Sequence, residues 1–174
     1  PLRVRRAHPG PGHPTGAGHP GTPPLPGGGG GGDPAGLGLP RPFHPRAAYQ
    51  WAAETTIYLR QDQRGRGLGR RLYGALEALL TAQNVLNCNA CIALPQVEDE
   101  TLTLASLRFH QRLGYTPAGQ FHQCGYKFGR WYHMVWMEKF LGAHSLPPAP
   151  FLPFPQLGER SAGLLAPWAT AAVW

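Results

Sequence analysis

The chain has 174 residues, a length that predicts one domain, and a net charge of +7 carried mainly by Arg. Gly 24 and Pro 20 make about a quarter of it, a share close to that of unstructured chains. No run of eighteen apolar residues occurs and the Arg-bearing N-terminus has no apolar segment, so neither a membrane-spanning helix nor a secretory signal is expected.

Residues 1–38 hold six consecutive Gly and no periodic apolar face. Such a segment cannot bury enough surface to offset its ordering entropy, and it is expected to be disordered. Residues 39–144 carry the globular patterning. Glu54 to Arg60 alternates as a strand, with Thr55, Ile57 and Leu59 on one side and Glu54, Thr56 and Tyr58 on the other. A glycine-rich turn follows at Gly65, Gly67 and Gly69, and then a helix from about Leu68 to Gln83, whose Leu72, Leu76, Leu79 and Leu80 recur at helical spacing. A strand at about Leu86–Leu94 precedes an acidic loop, Glu98-Asp99-Glu100. A second helix is expected from about Leu102 to Leu113, stopped by Gly114. Its apolar stripe reads Leu102, Ala105, Phe109 and Leu113, with His110 off that stripe. Tyr115–Cys124 and Trp131–Glu138 read as two more strands. Residues 145–174 carry Pro at 147, 148, 150, 153 and 155, which predicts a disordered, apolar tail.

Cys88, Cys91 and Cys124 cannot all pair within one chain. The first two have CxxC spacing, but they fall in a strand and no second CxxC exists, so buried free thiols are expected and no metal. Free thiols fit a reducing, cytoplasmic setting.

Arg60, Arg64, Arg66, Arg70 and Arg71 fall within twelve residues and surround the glycine turn. A basic cluster implies an anionic partner. A helix N-terminus presents unpaired amides and positive potential, and glycine lets that backbone approach a phosphate. The spacing G-x-G-x-G is neither the G-x-G-x-x-G of a dinucleotide fold nor a Gly-Lys-Ser/Thr phosphate loop. A nucleic-acid binder is disfavoured, since the Arg cluster coincides with the turn and no known binding module accompanies it.

The turn matches the acetyltransferase pattern Arg/Gln-x-x-Gly-x-Gly/Ala at Arg64, Gly67 and Gly69. With Ala48–Leu80, Ser106–Tyr115 and Gly125–Lys139 it resembles, over about residues 41–141, the phosphinothricin acetyltransferase branch of the GCN5-related N-acetyltransferase (GNAT) superfamily. The resemblance implies an α/β (α+β) fold: a mixed, splayed sheet with two main helices, here a partial version flanked by disordered ends. It implies acetyl-CoA as co-substrate, held at Ile57, Tyr58 and Leu59 by strand backbone, at Arg64, Gly65, Arg66, Gly67, Leu68, Gly69 and Arg70 by loop amides, and beside Thr103 and Ser106. Thr103 departs from the Asn often found in the family. Glu54 is implied as general base, desolvated beside Trp51, and His110 as base or proton donor to the leaving thiolate. Tyr49, Lys127 and Trp131 fall on the implied substrate side. The acceptor would be a small-molecule amine, amino acid-like, taken by direct attack in a ternary complex with no protein nucleophile. Neither nucleic acid nor membrane is an expected partner, and a homodimer is compatible with the resemblance.

A complete family member carries two or three strands and two helices before Ala48, and residues 1–38 lack their pattern. The expectation is that this segment is out-of-frame translation of a GC-rich region. An alternative of another class therefore stands: a non-catalytic remnant that at most binds coenzyme A.

Overall fold

The computed structural model describes residues 35–100 and 102–168. Five strands form one sheet in the order β1-β2-β3-β5-β4. They are β1 Gly36–Pro42, β2 Ala52–Leu59, β3 Asn87–Leu94, β4 Thr116–Lys127 and β5 Arg130–Phe140. Helix α1 (Leu68–Ala82) joins β2 to β3, α2 (Ala105–Arg112) joins β3 to β4, and α3 (Arg160–Leu165) follows the sheet. All neighbours in the sheet are antiparallel except β2 and β3. That parallel pair is connected through α1, as a parallel crossover requires.

Leu72, Leu76, Leu79 and Leu80 of α1 are buried, as their helical spacing predicts. They face the side of the sheet that carries Ala53, Thr55, Cys88, Ala90, Ile92, Val135 and Met137, all buried. At the tip of the β4–β5 hairpin Phe128 and Gly129 both have positive φ, the backbone that a two-residue turn between twisted strands demands.

Strand β1 was not legible as a strand. Its GLGLPRP composition is poor in β-formers. Packing decides instead: a Cβ on Gly36 would lie 2.5 Å from the Leu59 side chain, and one on Gly38 2.9 Å from Leu76. Glycine lets β1 lie close against α1 while it pairs along all of β2 from Ala53 to Leu59. Gly36, Leu37 and Gly38 therefore correct the expectation that all of 1–38 is unstructured, and the out-of-frame reading loses the support it drew from an absent strand. The remainder of that expectation lies outside the described residues.

Through Trp168 the tail is corrected as well, and residues 169–174 lie outside the described residues. Pro150 and its neighbours exclude a strand or long helix, yet the segment packs. Leu157 is 2% exposed, and Phe151 lies against the main core. The Trp51 indole donates to the Ala149 carbonyl at 2.7 Å, the Asn84 amide to the Pro150 carbonyl at 2.6 Å, and the Leu152 N–H to the Gln83 carbonyl at 3.0 Å. Farther along, Trp168 covers Gly74 of α1, where any side chain would strike the indole.

Helix α2 begins at Ala105, later than the expected Leu102. The acidic loop causes this. The Asp99 carboxylate accepts the Leu102 amide, Glu98 accepts the Leu104 amide, and the Thr103 hydroxyl accepts the Ala105 amide. These local bonds compete with helix geometry and hold Leu102 to Leu104 outside it.

Candidate active site

The parallel ladder between β2 and β3 has only the rungs Ala52–Asn87, Ala53–Cys88 and Glu54–Asn89. Beyond Glu54 the two strands diverge, β2 running on to Leu59 and β3 to Leu94. Among the described residues, β2 from Thr55 onward is paired to β1 on one edge only. Its other edge presents backbone N–H and C=O groups to the split, and such groups require partners. Ile57 and Leu59 turn their side chains toward α1, while Tyr58 is exposed on the opposite face. Contact with a ligand in the split would therefore come from the backbone of these three residues.

The open end of the split leads into the glycine turn. Gly65 and Gly67 have φ of 75° and 77°, a region that disfavours side chains, and a Cβ built on either meets nothing within 4 Å. Gly67 caps α1 without a side chain, so the amides of Leu68, Gly69 and Arg70 precede the first intrahelical bond, Arg71 N–H to Gly67 C=O. Gly69 is buried for a different reason: its missing Cβ admits the Phe109 ring, which a methyl would meet at 3.0 Å. Leu68 packs with Leu72 beneath the turn.

Arg60 is tied to Asp62 at 2.9 Å, and Arg66 donates to the Gln63 side chain at 2.6 Å. Arg71 reaches the Trp168 carbonyl at 2.9 Å. Arg64 and Arg70 are exposed and make no ion pair among the described residues. The turn thus combines free amides, a helix N-terminus and uncompensated guanidinium charge, the physical requirements of a pyrophosphate site.

Glu54 stands on the last rung, half-buried, on the sheet face opposite α1. Arg41 and Asn89 are its register neighbours. Cys91 lies two residues past Asn89 on the same face, and its thiol is pushed up to about 11 by partial burial, with Glu54 and Cys124 adding to the shift. Cys88 points to the other face, because residues three apart on a strand alternate sides, and its thiol is pushed up to about 12 by burial. The CxxC pair cannot converge on one ion. Cys91 is exposed, which corrects the expectation that the CxxC thiols are both buried, and Cys124 is exposed as well.

His110 is the buried residue of α2, at 6% exposed, rather than lying off the apolar stripe. Ala105, expected on the stripe, is exposed. The Ser106 carbonyl lies 2.7 Å from His110 Nδ1 and can only accept, so Nδ1 carries the proton. Nε2 then accepts from the Tyr73 hydroxyl at 2.6 Å. Phe109, Tyr73 and Tyr115 surround the ring edge-on. Burial holds the imidazole below its ordinary range, with the Ser106 bond opposing. Both ring nitrogens are thus engaged within the fold. Thr103 and Ser106 are exposed at the entry to α2.

Tyr49, Lys127 and Trp131 are not brought together. Tyr49 precedes β2, near the closed end of the split. Lys127 and Trp131 flank the tip of the β4–β5 hairpin, beyond the His133–Leu94 rung at the opposite end of β3. There Lys127 covers the Phe128 ring and Trp131 lies tilted against Tyr126. Trp131 and Tyr132 line an open cavity of about 360 Å³ with Glu98, Asp99 and Arg130.

Three residues of this region are not among the expected site residues: Thr55, Tyr73 and Asn89. Asn89 offered a signal, being a polar residue in the middle of an apolar strand, where it must find hydrogen bonds.

Comparison with known proteins agrees with this geometry. Residues 35–136 match the family described as acetyltransferase (GNAT) domain. An N-acetyltransferase of Streptomyces griseus is 38% identical over 101 residues, 58% of this chain and 48% of the relative. A phosphinothricin N-acetyltransferase of Streptomyces viridochromogenes is 34% identical over 124 residues, 71% of this chain and 63% of the relative. The chain spans about half the length of the curated relatives it matches. Among solved structures, a GNAT superfamily phosphinothricin acetyltransferase from Sinorhizobium meliloti in complex with AcCoA superposes with a TM-score of 0.58 at 28% identity, covering 70% of this chain and 62% of that one. The splayed β2–β3 pair, the glycine turn at the head of α1 and the family match together show that the chain belongs to the GNAT acetyltransferase family.

Proposed function

We propose that the chain is the coenzyme-holding part of an acetyl-CoA-dependent N-acetyltransferase that acts on a small, amino acid-like amine. The observation that carries this reading is the ladder that stops at Glu54–Asn89, leaving the β2 edge free beside a bare glycine turn. Acetyl-CoA fits the residues present: a pantetheine arm offers amide groups to the free β2 edge, and the open backbone at Gly65 and Gly67 admits a pyrophosphate. When bound it supplies an activated acetyl thioester. Arg64 and Arg70 neutralise phosphate charge, and the amides of Gly65 to Arg70 orient it.

Glu54 takes the proton from the acceptor amine, directly or through one water, on the sheet face away from α1. His110 acts through Tyr73, whose hydroxyl it holds, since neither of its own nitrogens is free. The cysteines take no part; the raised pKa of Cys91 keeps its thiol protonated at neutral pH. The amino acid-like acceptor is supported by relatives named phosphinothricin N-acetyltransferase, L-methionine sulfoximine/L-methionine sulfone acetyltransferase and L-amino acid N-acyltransferase.

Incubation with acetyl-CoA and L-methionine sulfone tests the reading. Free thiol should appear in equal amount to acetylated amine. Acetyl-CoA binding with no acetylated amine from any L-amino acid would replace it with the second reading, a coenzyme-binding remnant.

A further inference from the structure

Two side chains bridge β2 and β3 at the point where the strands diverge. Thr55 Oγ1 donates to the Asn89 carbonyl at 3.2 Å, and Asn89 Nδ2 donates to the Ala53 carbonyl at 3.3 Å. The two bonds run in opposite directions across the last parallel rung, each from a side chain to the other strand's backbone. Thr55 and Asn89 are both buried, at 2% and 8% exposed, so the bonds are shielded from water. They satisfy carbonyls at the point where the ladder ends, beyond which β2 and β3 share no rung. The Thr55 hydroxyl also lies 3.5 Å from the Tyr115 hydroxyl, at the head of β4. Tyr115 packs against Tyr73 of α1 and His110 of α2.

We propose that Thr55 and Asn89 form a clip that fixes where the sheet opens, and so positions the free β2 edge for the coenzyme. Both are positioning residues: they act through the strand backbone and not by contact with reacting atoms. Buried side-chain-to-backbone bonds of this kind favour one strand register over its neighbours, because a shift would strand the donors without acceptors. The proposal rests on the acetyl-CoA reading of the split.

Two substitutions at one position separate the clip from packing. Thr55→Val keeps the shape and removes the hydroxyl; Thr55→Ser keeps the hydroxyl and removes the methyl. Calorimetric titration with acetyl-CoA should show affinity weakened about tenfold in Thr55→Val, the equivalent of one hydrogen bond, and within about twofold of wild type in Thr55→Ser. Asn89→Leu should behave as Thr55→Val does. Wild-type affinity in Thr55→Val, or equal weakening in Val and Ser, overturns the clip. Amide exchange on the ligand-free chain judges the clip independently. Exchange from Glu54 to Ala90 should quicken in Thr55→Val and not in Thr55→Ser, and unchanged exchange in both overturns it. If wild type binds no acetyl-CoA while exchange responds as stated, the coenzyme reading fails and the clip stands as a determinant of the sheet alone.

Discussion

At the scale of single residues, Glu54 and His110 differ in what surrounds them. Glu54 is half-buried at the closed end of the split, on the sheet face opposite α1. Glu54→Gln keeps its shape and removes the proton acceptor. Turnover should fall about a hundredfold to ten-thousandfold while acetyl-CoA affinity is kept, which steady-state kinetics beside a binding titration will show; an unchanged rate would make Glu54 structural. His110 is held on both nitrogens, and burial lowers its pKa below the ordinary value of about 6.5. The unfolded chain takes up a proton first as pH falls, so stability present above about pH 6.5 is lost as pH drops below it. Calorimetry should find Tm falling from pH 7 to pH 5, with a smaller fall in His110→Phe, which has no imidazole to protonate. At pH 7 the variant should be less stable by about 1–3 kcal/mol, because the Tyr73 hydroxyl and Ser106 carbonyl lose a buried partner. Equal pH slopes would contradict the account. The sequence placed His110 on the right helix but on the wrong face. A stripe count assumes a helix from Leu102, and it weighs an imidazole as polar when both its nitrogens can be satisfied internally.

At the scale of elements, the parts that follow one period were legible and the parts set by tertiary contact were not. Helix α1 and strands β2, β3 and β5 carry strong apolar spacing, and the structure has them close to their expected bounds. The glycine turn was legible because Gly, Arg and a helix start coincide there. Strand β1 was not, since its two glycines answer to Leu59 and Leu76, side chains far along the chain. The tail was misjudged because Pro excludes regular hydrogen bonding but not packing. Removal of residues 145–174 takes away buried Leu157, the Phe151 contact and the bonds to Trp51, Asn84 and Gln83. Burial of one large apolar side chain contributes about 1.5–3 kcal/mol, so the deletion should lower Tm by roughly 5 °C or more in thermal denaturation. An unchanged Tm would show the tail to be dispensable.

At the scale of the whole molecule, a sheet pair that opens after three rungs directs its free edge toward a glycine turn, a helix N-terminus and a cluster of Arg. The sequence showed the turn and its charge, while the split became visible only in the register of β2 against β3, which no single-strand pattern contains. The measurement that tests this arrangement most directly is thermal denaturation with and without millimolar acetyl-CoA. Ligand binding to the native state stabilises it by about 2.7 kcal/mol at a hundred times the dissociation constant, so Tm should rise saturably. Gly67→Val should abolish the rise, because a branched side chain at positive φ is strained and would occupy the space a phosphate needs. No rise in the wild-type chain, or an undiminished rise in Gly67→Val, would contradict the placement of the coenzyme in the split.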